Sequence, residues 1–197
     1  MILHPLHPLH NPLPNFLLSY MINSLNPEVD SKLEFIRKAL TETGAIALRL
    51  RGTDWFAWAT AGASHTVLLT AETGVAEVLV TADTAWVLTD EIEAQRLQDE
   101  ELPANFQMHI YPWADVAQRE AFVKEITEGG NVMSDRPNAA EMPIAPSLQS
   151  RKQIMMSSEL DRYRRVGSLA SEAMTEVLSA AKSTWTEYST SGCYEVQ

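Results

Sequence analysis

Three short runs, HTVLLT (65–70), VAEVLVT (75–81) and TAWVLTD (84–90), follow one another with only AETG and AD between them. Each is rich in β-branched and apolar residues and is bounded by turn-forming ones. Links this short allow only tight turns, so neighbouring strands must run antiparallel. The spacing predicts an antiparallel meander, and the rest of the chain has to pack around it.

Helical and strand-like patterns alternate on either side. SKLEFIRKALTETG (31–44) puts Leu33, Ile36 and Leu40 on one face, with Asp30 or Ser31 as N-cap and Gly44 as stop. AIALRL (45–50) has the length and apolarity of a buried strand, and GTDWFAWATAG (52–62) gives one or two helical turns. After the meander, EIEAQRLQDEEL (91–102) reads as a helix, FQMHIYPW (106–113) as a strand, ADVAQREAFVKEIT (114–127) as a helix and NVMSD (131–135) as a last strand. An antiparallel core joined to strand–helix–strand units predicts an α/β fold, a mixed β-sheet flanked by helices.

Four segments are expected. Residues 1–29 form a Pro- and His-rich leader without regular structure, 30–137 the sheet domain, 138–157 a linker, and 158–197 the start of a second domain. The prolines of HPLHPLHNPLPN exclude a helix. A polyproline II run would line up His4, His7 and His10 as a weak, unselective metal site; the alternative is an unstructured leader, with Met21 as a second possible start. RPNAAEMPIAP (136–146) reads as a connection. Beyond it, Leu160, Tyr163, Ala170, Met174, Val177 and Leu178 form an apolar stripe on a helix over 158–181, capped by Ser157 or Ser158. At 1.5 Å per residue this helix is about 36 Å long.

Charge and composition narrow the partners. With 15 basic and 26 acidic residues the net charge is −11, which disfavours nucleic acid and anionic lipid. The densest basic cluster, Arg162 to Arg165, reads as a solvated helical face. Cys193 is the only cysteine, so no internal disulfide forms, and a cytoplasmic location is expected. No apolar run reaches the roughly 18 residues of a membrane span, and the N-terminal prolines do not suit a signal peptide.

Catalytic signatures are scarce. His65 and His109 sit in strand-like runs without helical His pairing, and Glu91/Glu93 and Asp99-Glu100-Glu101 read as surface carboxylates. There is no nucleophile elbow and no phosphate loop, since Gly129-Gly130 precedes a strand rather than a helix. Trp55, Phe56 and Trp58 are expected in the core or at a subunit contact rather than around a ligand.

The order of these motifs resembles the N-terminal domain of the pita-bread metallopeptidases, the Xaa-Pro aminopeptidase, prolidase and creatinase family. WATAG (58–62) stands where the family has a YLTG-like turn, the meander follows, and Ser134-Asp135-Arg136-Pro137 matches the close of the first domain. Glu159, Leu160 and Arg164 match the opening of the family's catalytic domain, and Thr186 and Glu187 match a later turn in which Thr184 replaces the family's glycine. The resemblance implies a catalytic half in which two aspartates, a histidine and two glutamates hold two divalent ions. None of those positions falls within this chain, so it implies no catalytic or metal residue here and no cofactor for this chain. The expected product is an incomplete second domain whose exposed helix face (Leu160, Tyr163, Met174, Val177, Leu178) pairs with itself, giving a homo-oligomer, or with a full-length relative. An early stop or a shifted reading frame after Tyr188 would account for the ending SGCYEVQ.

Overall fold

A computed structural model of the chain describes residues 26–186. The leader histidines His4, His7 and His10, the second start at Met21, Cys193 and the ending SGCYEVQ lie outside the described residues. The chain forms two units, the first ending at Gln153 and the second beginning at Ile154.

The first unit opens with helix α1 (Pro27–Thr43). Its cap is Asn26, whose side chain accepts the N–H of Glu28, and Pro27 occupies the first turn. The helix therefore starts before the expected caps Asp30 and Ser31, because Asn-Pro supplies both an acceptor and a residue that needs no N–H partner. Gly44 ends it in the left-handed conformation (φ 69°). Next come β1 (Ala47–Gly52), helix α2 (Thr53–Ala59), β2 (Thr73–Thr81) and β3 (Ala85–Asp90). A short α3 (Ala94–Arg96) runs into a π-helical turn (Leu97–Glu101), so the helix expected over 91–102 covers 94–101 and is wound as π over its second part. Then follow β4 (Gln107–Tyr111), α4 (Val116–Ile126), β5 (Val132–Ser134), β6 (Met142–Pro143) and α5 (Pro146–Lys152).

The six strands form one sheet in the order β4-β3-β2-β1-β5-β6. β1, β2 and β3 are antiparallel, whereas β4 joins β3, β5 joins β1 and β6 joins β5 in parallel. The mixed sheet flanked by helices is the architecture that the sequence pattern predicts, but its antiparallel core is β1–β2–β3, not the three runs between 65 and 90.

HTVLLT is not a strand. β1 already has both neighbours, β2 and β5, and β2 lies between β1 and β3, so residues 65–70 have no place beside the strands they adjoin in sequence. They form a loop tied to β2 where the Val75 N–H donates to the His65 carbonyl (2.9 Å). Val67, Leu68 and Leu69 face solvent, Leu69 being 91% exposed. Gly74 is needed beside this loop, since a Cβ there would stand 2.6 Å from His65 Cδ2 and collide with its carbonyl.

The expected connection at 138–157 is also partly structured. Met142 and Pro143 extend the sheet beside Met133 and Ser134, and Leu148 of α5 is buried in the core that α1 covers.

Alternation along the strands splits the sheet into two faces. One turns Leu48, Leu50, Val78, Val80, Val87 and Met133 toward α1 and α2. Here Phe56 is fully buried, Trp58 is buried and Trp55 packs against the same core, so the aromatic cluster is structural. The other face carries a smaller apolar cluster of Ala47, Leu79, Leu88, Tyr111 and Val132 under Val123 of α4.

In the second unit, helix α6 (Ser157–Ala180) is capped at Met156, whose N–H donates to Glu159 Oε2 (2.7 Å), rather than by Ser157 or Ser158. No helix among the described residues is long and apolar enough to cross a membrane.

Candidate functional site: an ion-paired sheet face and an exposed helix face

Arg49 and Arg51 alternate with Leu48 and Leu50 along β1, so both arginines must leave the sheet on the face opposite the large core. There the small apolar cluster gives way to charge. Arg49 is 1% exposed. Its Nε donates to Glu77 Oε2 on β2 (2.5 Å), and its two terminal nitrogens donate to the carboxylate of Glu120 on α4 (2.8 and 2.6 Å). Arg51 makes the same forked contact with Glu141 (2.8 and 2.6 Å), and Arg119 closes the ring on Glu77 (2.9 Å) and Glu120 (3.0 Å). Two-pronged guanidinium–carboxylate pairs of this kind fix direction as well as distance.

The Ser-Asp-Arg-Pro turn braces the same ring. Ser134 Oγ accepts from Arg51 Nη1 (2.9 Å) and from the Arg136 N–H (3.1 Å). Asp135 accepts the backbone N–H groups of Arg51 (2.8 Å) and Gly52 (2.6 Å), and Arg136 pairs with Glu72 (2.7 Å). The turn thus ties the end of β5 to the end of β1.

Electrostatics follow from these contacts. The bonds from Arg49 hold the Glu120 carboxyl down at about 2, with the charges of Arg49 and Arg119 assisting against burial. At Glu141 burial works to raise the pKa, but Arg51, the Asn138 N–H and Arg49 outweigh it and the group is lowered. Burial opposes the charge on Arg49 too, yet Glu120 and Glu77 raise its pKa above the usual arginine range. Depressed carboxylates stabilise the fold fully above their unfolded value near 4.5, and that contribution is lost as pH falls toward about 2. Glu120→Gln is therefore expected to flatten the loss of stability between pH 4.5 and 2, read as the urea midpoint at each pH. A variant curve parallel to the wild type would remove Glu120 from that account.

The ring is a clamp rather than a reaction centre. Arg49, Arg51 and Arg119 balance Glu77, Glu120 and Glu141, leaving no surplus negative charge for a divalent ion, which seeks several unmatched oxygens. Among the described residues no three His, Cys, Asp or Glu side chains converge as metal ligands. His65 stacks on Phe56 (3.9 Å) and its Nδ1–H donates to the Ala76 carbonyl (2.6 Å), while His109 stacks on Phe122 (3.6 Å). Burial lowers the pKa of both. Glu91 accepts the Trp113 N–H, Glu93 pairs with Arg96, and Glu101 accepts the Ser64 N–H, so these carboxylates hold local structure.

Tyr163, Met174 and Leu178 are exposed and Leu160 is half-buried, but Val177 is only 8% exposed and does not belong to the open surface. Val166 and Leu169, which the stripe omitted, are exposed beside it. Sequence reasoning missed the ion-paired ring altogether. Its signal was an Arg-x-Arg in an apolar strand and Glu77 between Ala76 and Val78 in another.

No family model and no curated protein matches the sequence. The fold does match solved structures. The Xaa-Pro dipeptidase of Bacillus anthracis is 17% identical with a TM-score of 0.59, over 83% of this chain and 47% of that one. The prolidase of Pyrococcus horikoshii OT3 is 14% identical (TM-score 0.58), over 81% and 46%. The X-Pro aminopeptidase of Thermotoga maritima MSB8 is 12% identical (TM-score 0.57), over 80% and 46%. This chain spans about half the length of these three structures, and over that half it has their fold.

Proposed function

We propose that the chain is the non-catalytic N-terminal portion of a Xaa-Pro aminopeptidase- or dipeptidase-like metallopeptidase, inactive alone. The observation that carries this is the alignment, which takes in 83% of this chain but only 47% of the Bacillus anthracis Xaa-Pro dipeptidase. In the family that the sequence resembles, the two-metal centre belongs to the other half. What the chain contributes is then a rigid, ion-clamped sheet domain that supports assembly and shields a catalytic half, in the cytoplasm and without nucleic acid or membrane as partner. The test is hydrolysis of a Xaa-Pro dipeptide by the purified chain with Mn²⁺, Co²⁺ or Zn²⁺. No turnover above the metal-only control is expected, and metal-dependent turnover would sink the proposal.

A second reading, an oligomerisation or partner-binding module, draws on the exposed Tyr163, Val166, Leu169, Met174 and Leu178 of α6. Apolar side chains clustered on one face favour association. If the module reading holds, Met174→Glu with Leu178→Glu dissociates a defined oligomer. If α6 is only an uncovered helix, the same changes raise solubility and leave the melting of the first unit unaltered.

A further inference from the structure

β3 and β4 run side by side in parallel with Asp90 opposite Tyr111, so the loops that follow them leave the sheet together. The Glu91 N–H donates to the Tyr111 carbonyl (3.1 Å), and the Trp113 N–H donates to Glu91 Oε2 (3.1 Å). The Asp115 N–H closes a turn on the Pro112 carbonyl (2.8 Å). Held in this way, Trp113 is 63% exposed, and Ile92 and Val116 in the same loops are exposed as well. Tryptophan is usually covered, either in a core or in an interface. Asn26, where the described chain begins, bonds Asn105 at the opposite end of β4.

The charge around this indole has one sign. From Gly52 to Gln118 the chain carries eleven acidic residues and a single basic one, Arg96, so nearly all of the net charge of −11 resides there. Asp90, Glu91 and Asp115 flank the exposed patch. They accept from the N–H groups of Ile92, Glu93 and Trp113 and from the Gln118 side chain, contacts that leave their negative charge in place. No described residue forms an ion pair with any of the three. The arginines on either side are engaged elsewhere, Arg96 by Glu93 and Glu101, and Arg119 by Glu77 and Glu120. Elsewhere in the chain the same combination of ring and carboxylate holds a cation: the Lys152 ammonium lies 4.4 Å from the Trp55 ring centre and pairs with Asp54.

We propose that this end of the sheet docks an arginine-containing segment of another protein. One guanidinium stacks on Trp113, neighbouring basic side chains pair with Asp90, Glu91 and Asp115, and aliphatic ones pack on Ile92 and Val116. Arginine suits the site better than lysine, because its planar group covers an indole face and forks onto a carboxylate at once. Three flanking carboxylates repel an acidic segment. They do not converge as metal ligands, and the apolar residues extend the surface beyond the reach of a single ion. The docking does not depend on whether the chain is half of a peptidase.

The test titrates the full chain into a fluorescent octa-arginine peptide near physiological salt and reads its anisotropy. Wild type should bind, with octa-lysine about threefold weaker. Trp113→Ala should weaken binding about tenfold, as loss of an aromatic anchor does. Glu91→Gln with Asp115→Asn should weaken it about fivefold, whereas Asp99→Asn with Glu100→Gln, the same loss of charge on the π-helical turn, should change it by less than about twofold. Circular dichroism checks that each variant is folded, and if Trp113→Ala is not, the two double variants decide. Absence of binding, equal losses in the two double variants, equal affinity for octa-lysine, or free arginine binding as tightly as the peptide overturns the proposal.

Discussion

Arg49→Met is expected to destabilise the first unit by about 3–5 kcal/mol, the usual consequence of removing one partner from a buried ion pair. Methionine fills most of the space, so the loss comes from charge rather than volume. Glu77 keeps Arg119, and Glu120 loses both prongs of its fork while retaining its contacts with Arg119 at 3.0 and 3.1 Å. For a unit of this size the loss corresponds to a fall of about 6–20 °C in melting temperature. The electrostatic origin has its own signature. Below the range where the carboxylates ionise, the variant leaves no buried negative charge behind, so its deficit should shrink as pH falls from neutral toward 3. A deficit that stays constant with pH would mean that Arg49 acts by packing alone.

Phe56→Ala should cost a similar amount, about 3–5 kcal/mol, for a different reason. The ring is fully buried between α2 and the sheet and stacks on His65 at 3.9 Å. Truncation leaves a cavity against a polar ring whose Nε2 has no hydrogen-bond partner, so water is drawn in. Burial is the main cause of the lowered His65 pKa, and hydration should let it rise toward 6.5. Thermal melting measures the first effect and an NMR titration of the His65 ring the second. A large fall in melting temperature with an unmoved His65 titration would show that the cavity collapses dry.

Most of the fold was legible in the sequence because its strands are locally unambiguous. VAEVLVT, TAWVLTD and the strands at 45–50, 106–113 and 131–135 all appear, displaced by a residue or two. HTVLLT failed as a strand because local pattern cannot know that β1 and β3 take both places beside β2. Asn26-Pro27 was lost as a cap because it falls just inside the Pro-rich stretch that reads as leader. The ring around Arg49 was invisible for a topological reason. Its carboxylates come from residues 77, 120 and 141, and nothing near residue 49 announces them. Helix α6 was legible because its apolar pattern is periodic within a single element.

Strand order also sets a timetable for synthesis. β1 meets β2 early, but its other neighbour, β5, pairs with it in parallel from residues 132–134. Non-local pairings of this kind slow folding, since a long loop must close before they stabilise anything. As the chain is made, Arg49 first encounters Glu77, and then 43 residues (120 minus 77) pass before Glu120 of α4 is available. At roughly 5–20 residues per second that interval lasts several seconds. During it, the α1-side core can already consolidate around β1, β2 and β3, while the opposite face waits with an underpaired arginine and bare Leu79 and Leu88. The nascent chain is thus lopsided, finished on one side and sticky on the other, until α4 emerges and closes it.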